Sequence, residues 1–379
     1  MFDVQIFAKN LRHFRKLRGL SNAALADCLG LSSQHISEWE QGTTPPEMVH
    51  IQSLANALEV SLNELIGVTT MPALIAIDGG GTKTEVALIS IDGHLLKRVV
   101  LAGSNPNTYS VQGCAEILQK GIDAMLQLGY HVLGIHIGCA GMFSGNNSSE
   151  VEAILKNQYP QYCLKCQSDI CNVLACAKDP DNAIAVIGGT GSVVYASVNG
   201  ELIRTGGGGW RLDTLGSGYD MGRQAILAAM ENRDGTGLDT ILTEGVENRL
   251  GGPVWSNIHA IHSESPAFIA SFAPLLLDAW QKNDSVATTH VMENCKRIAY
   301  LIKVAASKSP RATEVLFSGG LFTNCSSFYD AVTVLLEEYL TPSLVDLPQI
   351  WGSFLCCARM CGIEAPNSDV FMEQYTKES

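Results

Sequence analysis

Charge is scarce in this chain, and what there is leans acidic. Of 379 residues only 17% are charged, with 25 Lys and Arg against 38 Asp and Glu, for a net charge of −13. That balance excludes broad nonspecific binding to nucleic acid or anionic membranes and leaves any polyanion contact to a local basic patch. No apolar run is long enough to span a bilayer. The first residues lack a secretory pattern, because Lys9, Arg12, Arg15, Lys16 and Arg18 interrupt them, so a cytoplasmic location without membrane partners is expected. Aromatic residues make up only 7%, yet hydrophobic residues reach 46%, enough for substantial cores in two or three domains.

A second Cys-x-x-Cys is also missing. Among the 12 cysteines, Cys163-x-x-Cys166 has metal-like spacing, with Cys171 and Cys176 close behind, but no His-x-x-x-His follows. Two readings stand: reduced thiols, mostly buried, or a metal site. Cys356, Cys357 and Cys361 fall in an apolar helical stretch and read as core.

Two glycine turns carry the chemistry. Asp78-Gly79-Gly80-Gly81-Thr82-Lys83-Thr84 follows the apolar run 73–77, and Gly188-Gly189-Thr190-Gly191-Ser192 follows the run 183–187. Each reads strand, tight turn, strand. Glycines permit sharp turns and close backbone approach, and successive N–H groups form an anion nest. Two such turns suggest a polyphosphate held between two halves of a protein. No helix follows the second turn, which argues against a P-loop or a dinucleotide fold.

Residues 1–68 form a separate all-α unit of four or five short amphipathic helices, the second capped by Ser21 and ended by Gly30, the third capped by Ser32 or Ser33 and running through Trp39. Helix, Gly-containing turn, helix is the helix-turn-helix order. Residues 29–42 and 58–65 resemble the phage Cro/C1 repressor family. The resemblance implies Ser33, Gln34 and Ser37 facing base edges in the major groove and Asn22 contacting phosphate. Arg12, Arg15, Lys16 and Arg18 form the basic cluster that phosphate binding requires. The implied partner is a double-stranded DNA operator, read by a homodimer across two half-sites. Residues 69–72 read as a linker.

From residue 73 the pattern is α/β: three strands, a helix, a strand, a helix and a strand, then a restart at the second glycine turn. This is a duplicated layout of two lobes, roughly 73–180 and 181–364, followed by a tail at 365–379. The order Asp78–Thr84, Ser104-Asn105-Pro106-Asn107, Gly138–Gly141, Ser168-Asp169, Gly188–Ser192, Gly207–Trp210, Gly216–Tyr219 and Ser318-Gly319-Gly320 resembles the BadF/BadG/BcrA/BcrD-type ATPase family, especially its N-acetylglucosamine kinase branch. That family belongs to the actin–hexokinase–Hsp70 superfamily, so the implied fold is a duplicated ribonuclease H-like, actin-like ATPase domain.

The resemblance implies ATP and Mg²⁺ as cofactors and an amino sugar as substrate. Asp78 would position Mg²⁺ through water, while Gly80, Gly81, Thr82 and Lys83 face phosphates and Gly189, Thr190 and Gly191 hold the other side of the chain. Asp169 would be the general base, a role that can coexist with capping the helix it precedes. Asn107 would bond sugar hydroxyls, and Gly319 and Gly320 would let the backbone lie against adenine or ribose. Trp210 is either sugar-facing or core. Where the branch usually has Gly-Asp-Glu-Gly-Ser-Gly, this chain is about two residues shorter, with Thr214 and Leu215 at the acidic positions. Asp213 either replaces the lost carboxylate or pairs with Arg211. Neither glycine turn has an adjacent cysteine, unlike the iron–sulfur ATPases of the family. Two functions are expected: an ATP-dependent amino-sugar kinase fused to a DNA-binding unit, or a sugar- or nucleotide-sensing transcriptional regulator with little catalysis.

Overall fold

The computed structural model describes residues 4–66, 71–213 and 215–378. Its contacts divide the chain into two compact units, one up to Pro72 together with Leu128–His131, the other Ala73–Gln127 and Val132 onward.

The first unit holds α1 (Val4–Leu17), α2 (Asn22–Leu29), α3 (Ser33–Gln41), α4 (Met48–Leu58) and α5 (Leu62–Ile66). Their apolar faces meet in one core containing Phe7, Leu11, Leu25, Ile36, Trp39 and Leu54. Ser21 caps α2, its hydroxyl accepting from Ala24 N at 3.1 Å, and Gly30 ends that helix in the left-handed region at φ 65°. Gly42 ends α3 the same way. Ser32 stands at the cap position of α3 but bonds His35 Nδ1 at 3.0 Å instead of the backbone. Of the linker expected at 69–72, residues 69 and 70 lie outside the described residues, and Pro72 already opens the first strand.

The second unit begins with β1 (Pro72–Gly79), β2 (Lys83–Ser90) and β3 (Leu95–Ala102), then α6 (Pro106–Leu126), β4 (His131–Cys139), α7 (Asn147–Gln158), β5 (Cys163–Gln167) and α8 (Ile170–Leu174). The layout restarts with β6 (Ile184–Gly188), β7 (Ser192–Val198) and β8 (Glu201–Thr205). A helical block follows: α9 (Gly218–Asp234), α10 (Leu242–Leu250), α11 (Ile258–Ser263), α12 (Pro266–Ala270), α13 (Ala273–Gln281) and α14 (Ser285–Lys308). Then come β9 (Glu314–Ser318), α15 (Gly320–Thr323), α16 (Ser326–Thr333), β10 (Thr341–Leu344), α17 (Gln349–Met360) and α18 (Asp369–Glu378).

The two sheets repeat one order, β3-β2-β1-β4-β5 and β8-β7-β6-β9-β10. In each, the first three strands are antiparallel neighbours joined by tight turns, and the fourth and fifth run parallel to one another after crossovers. Ala73 to Ile77 of β1 are fully buried, as a central strand covered on both faces must be. This is the duplicated α/β architecture expected from sequence.

Two local expectations change. The helix expected to start near Gln112 begins at Pro106, with Asn105 as its cap and a kink at Ser110, where φ is 65°. Within the tail expected at 365–379, whose last residue lies outside the described ones, α18 docks on the first sheet, with Phe371 fully buried and its ring 4.8 Å from that of Trp351. Helix α17 also returns to the first sheet, packing Trp351, Phe354 and Cys357 with Leu74, Ala76 and Ile89. Trp351 and Phe371 thus sit on the first sheet, while Cys356, on the same helix as Trp351, packs with Ala185 and Leu316 of the second.

Candidate functional site

The expected motifs meet where strands end. The carboxyl ends of β1 and β4 join by Ala140 N donating to Gly79 O at 2.8 Å, while Ser104 and Asn105, after β3, donate to Gly80 O at 3.0 and 3.2 Å. Asp169 follows β5 on the same edge. Such an edge is where α/β sheets gather ligand loops. In the second sheet, Gly218 N donates to Gly189 O at 2.8 Å and Tyr219 N to Thr190 O at 3.0 Å, bringing the start of α9 against the second glycine turn.

The glycines serve by leaving space. None of Gly79, Gly80, Gly81, Gly188, Gly189 and Gly191 has a left-handed φ, so the conformational freedom expected of them is not used. Gly81, Gly189 and Gly191 face open space, where a side chain would stand between ligand and backbone N–H groups. Gly79 is needed for packing, because a Cβ there would lie 2.5 Å from Ser104 Oγ and 2.6 Å from Cys139 Sγ. Thr82 and Lys83 are exposed beside the first turn. Gly319 does require its left-handed φ of 99°, and any Cβ there would strike Gly188 O at 2.3 Å. Next to it, a cavity of about 390 Å³ runs from Gly189 and Gly218 past Leu277 and Gln281 to Gly320 and Asn324. A second, of about 340 Å³, lies on the other side of the turn, lined by Thr190, Gly191, Arg204, Gly207 and Asp213.

Asp78, half-buried at the end of β1, accepts from Asn172 Nδ2 at 3.3 Å. Burial first, then the Asp169 and Glu85 carboxylates, push its pKa up to about 7, against the bond from Asn172 and the charge of Lys83. Asp169 itself is raised, mainly by burial, although Ser168 Oγ and Ile170 N donate to it at 2.9 and 3.1 Å. It therefore caps α8 as the sequence suggests. The charge of Asp169 acts on Asp78, and the buried Asn172 Oδ1 beside Asp78 lacks a partner among the described residues; these oxygens suit a hydrated divalent cation.

Asn107 sits in the first turn of α6. Its Nδ2 donates to Ser144 Oγ at 3.1 Å, and its Oδ1 accepts from Asn147 at 3.0 Å, so it belongs to a polar cluster between two loops of the first lobe. Trp210 is 44% exposed, with Arg211 over its ring at 4.8 Å and Tyr219 at 5.4 Å, which rules out the core alternative. Asp213 accepts from Gly209 N at 3.1 Å; it closes a turn and makes no ion pair with Arg211 among the described residues. Thr214 lies outside the described residues. Leu215 takes a left-handed φ of 58°, uncommon for a side chain of its size.

Sequence reasoning missed several parts. The N-terminus of α9 adds its dipole to the second turn, with Ser217 Oγ accepting from Asp220 N at 3.2 Å. Asn294, buried within α14, accepts from Gly216 N at 2.6 Å and donates to Gln224 and His290 O. Phe143 from the first lobe meets Tyr195 from the second edge-on, ring centres 5.2 Å apart. Ser217-x-x-Asp220 is a local capping pattern that could have been read; Asn294 and the Phe143–Tyr195 pair depend on distant segments meeting.

In the first unit, Ser33 and Gln34 are exposed and Ser37 half-exposed on α3, and Asn22 is the first residue of α2. Without a ligand, Gln34 donates to Glu38 at 2.9 Å and Ser37 accepts from Gln41 at 3.2 Å. Arg12 is exposed. Arg15 departs from expectation: its guanidinium forks onto both oxygens of Glu40 at 2.6 and 2.9 Å and donates to Leu20 O at 2.8 Å. Its side chain is only 11% exposed, so it braces the unit and is not free for phosphate.

Comparison with known proteins agrees with this architecture. Residues 75–344 match the model of the BadF/BadG/BcrA/BcrD ATPase family, and residues 11–65 match a helix-turn-helix model. The chain is 28% identical over 271 residues to an N-acetylmuramic acid/N-acetylglucosamine kinase of Clostridium acetobutylicum, covering 69% of this chain and 89% of that one. A solved structure from Chromobacterium violaceum, provisionally named an N-acetylglucosamine kinase, is similar with a TM-score of 0.58 and 23% identity, over 76% of this chain and 99% of the other. A ROK family transcriptional regulator, a homologue of the E. coli MLC protein, is similar in fold over 99% of both chains, with a TM-score of 0.50 and 12% identity. No described helix is long and apolar enough to cross a membrane. The chain is a member of the BadF/BadG/BcrA/BcrD ATPase family with a helix-turn-helix unit ahead of its ATPase domain.

Proposed function

We propose that the large domain is an ATP-dependent kinase for an amino sugar of the N-acetylglucosamine type, joined to a unit that binds operator DNA as a homodimer. The observation that carries this reading is the placement of Asp78 at the end of β1 and Asp169 after β5 on one edge of the first sheet, with the first glycine turn and the Asn107 cluster. In this reading, Asp169 accepts the proton of the attacking sugar hydroxyl, and its raised pKa makes it a better base near neutral pH. Asp78, with Asn172 beside it, would hold Mg²⁺ through water. Bound there, the ion would neutralise charge on the transferring phosphoryl group. Gly80 N and Gly189 N are spent closing their turns onto Lys83 O and Gly191 O, so the backbone donors left for the phosphates are at Gly81–Thr82 and Thr190–Gly191, with Lys83 adding a positive charge. The cavity beside Gly319 and Gly320 takes the nucleoside, and Asn107 and Trp210 flank the sugar.

The helix-turn-helix unit and the altered segment around Asp213 favour a second reading: a regulator that senses sugar or nucleotide and turns over little. Asp213 accepts from Gly209 N within its own turn, and Thr214 and Leu215 stand at the acidic positions, so the sugar end departs from the pattern usual in the kinase branch. Lobe closure on ligand would then change the spacing of two DNA-binding units.

A coupled ADP-release assay with Mg·ATP over a panel of hexoses and amino sugars separates the two. Sugar-dependent turnover, lost in Asp169→Asn while sugar and ATP still bind by calorimetry, is expected of the kinase. Turnover retained in Asp169→Asn removes it as base. Binding without turnover in the parent protein selects the regulator.

A further inference from the structure

Phosphoryl transfer leaves the cysteines unused. All 12 are free thiols. The Cys163-x-x-Cys166 spacing fails as a chelating pair for a geometric reason: both lie on β5, where an odd separation sends side chains to opposite faces, leaving Cys163 exposed and Cys166 buried.

Cys163 instead meets the far end of the chain. β5 is an edge strand, and Cys163 pairs with Gly134 of β4. The end of α17 comes down on that glycine: a Cβ at Gly134 would lie 2.4 Å from Cys361 Sγ and 3.2 Å from Cys357 Sγ. The Cys361 thiol, which donates to Leu133 O at 3.8 Å, thus lies beside Cys357 and on the face of the sheet that carries Cys163. The three differ in access, with Cys163 exposed, Cys361 half-buried and Cys357 buried. They differ in acidity too. Hydrogen bonds from Cys357 and then Cys163 hold Cys361 down at about 7, against burial. Cys163 is raised by burial and by Cys361, and Cys357 is raised by its bond to Cys361 and by burial. Thiolate character and access therefore favour Cys361 as the attacking sulfur and Cys163 as the resolving one.

We propose that Cys361 and Cys163 are a peroxide-sensitive thiol pair that closes to a disulfide joining β5 to the turn after α17. The Cys361 thiolate attacks one peroxide oxygen; an S–O bond forms, the O–O bond breaks and hydroxide leaves, taking up a proton as water. The Cys163 sulfur then attacks the sulfenic sulfur; the S–S bond forms, the S–O bond breaks and a second water leaves. Two thiols lose two electrons and two protons, and one hydrogen peroxide becomes two waters. The link would tie the strand that leads into Ser168 and Asp169 to a helix packed on the first sheet. It holds whether or not the domain phosphorylates sugar.

Peptide mapping of the full chain tests it. Trypsin cuts after Lys156, Lys165, Arg359 and Lys377, which places Cys163, Cys166, Cys357 and Cys361 on four separate peptides. After hydrogen peroxide treatment and alkylation of remaining thiols, residues 157–165 should appear cross-linked to residues 360–377, two hydrogens lighter than their sum. The species should vanish on reduction and in Cys163→Ser and Cys361→Ser. It should form at peroxide doses that leave the exposed Cys28 as a thiol. Recovery of both peptides alkylated, a link from Cys361 to the Cys357 peptide, or equal consumption of Cys28 would each overturn the assignment.

Discussion

Replacing Asp78 with Asn should stabilise the large domain, by an amount that grows with pH. A carboxyl whose folded pKa is raised holds its proton more tightly when folded than when unfolded. Its penalty is therefore absent below the unfolded value near 4, grows as pH rises, and is complete above the folded value of about 7. The interval between those two values, at ~1.4 kcal/mol for each pH unit, sets the ceiling at roughly 4 kcal/mol by pH 8, against roughly 1.5 kcal/mol at pH 5. For a unit of this size, at ~2.1 cal/mol/K of unfolding entropy per residue, that corresponds to about 6 °C in Tm at pH 8 and about 2 °C at pH 5. Asn keeps the oxygen that accepts from Asn172, so the swap removes charge with little change of shape. Differential scanning fluorimetry across pH 5–8, without divalent ions, reads the effect. Adding Mg²⁺ should raise the Tm of the parent protein, most at high pH, and leave the variant unmoved. Parallel Tm–pH curves for the two proteins would refute the account, because the Asp78 carboxyl would then carry no burial penalty and no repulsion from Asp169.

Further outcomes are expected. Gln34→Ala with Ser37→Ala should lower sequence-specific operator binding in gel-shift titrations and leave ATP affinity unchanged, whereas Arg12→Ala should weaken all sequences alike and reduce the salt slope by about one; unchanged operator affinity in the double variant would undo the groove assignment. Arg15→Ala should instead lower the melting temperature of the small unit, since it breaks the fork on Glu40. Asn294→Ala leaves the buried Gly216 N–H and Gln224 Oε1 without their partner, at a cost of about 2–3 kcal/mol in urea denaturation, and weakens ATP binding by loosening the entry to α9; unaltered stability and affinity would show the hub to be dispensable. Phe371→Ala should cost about 3–5 kcal/mol, and no loss would mean that α18 does not hold the first sheet.

The fold was legible because its signals are local and repeated. Buried runs at 73–77 and 183–187, each followed by a glycine turn and a second strand, announce the same unit twice. The turns themselves were placed for a partly wrong reason, since their glycines keep ordinary φ values and act through absent side chains. What stayed hidden depends on partners far away in sequence. Arg15 reads as part of a basic cluster until Glu40 is brought against it. Asn294 is one polar residue in a 24-residue helix, and only the packing of α14 on the Gly216 loop gives it meaning. An apolar pattern identifies α17 as a buried helix but cannot say which of two similar sheets Trp351 covers. Phe371 carries the same ambiguity, and a short segment after an apparent domain end reads as a tail.

The loops at the strand ends of each sheet are fastened largely through main-chain atoms: Ala140 to Gly79, Ser104 to Gly80, Gly218 to Gly189. Bonds of that kind survive replacement of almost any side chain around them. The frame is thus insulated from its own chemistry, except at sites such as Gly79 and Gly319, where even a methyl group is excluded. A lineage built this way can exchange the residues that recognise a ligand, or lose turnover altogether, without refolding. Enzyme and sensor then stand a few substitutions apart on the same scaffold, and acquiring a DNA-reading unit needs no change in the lobes that hold the ligand.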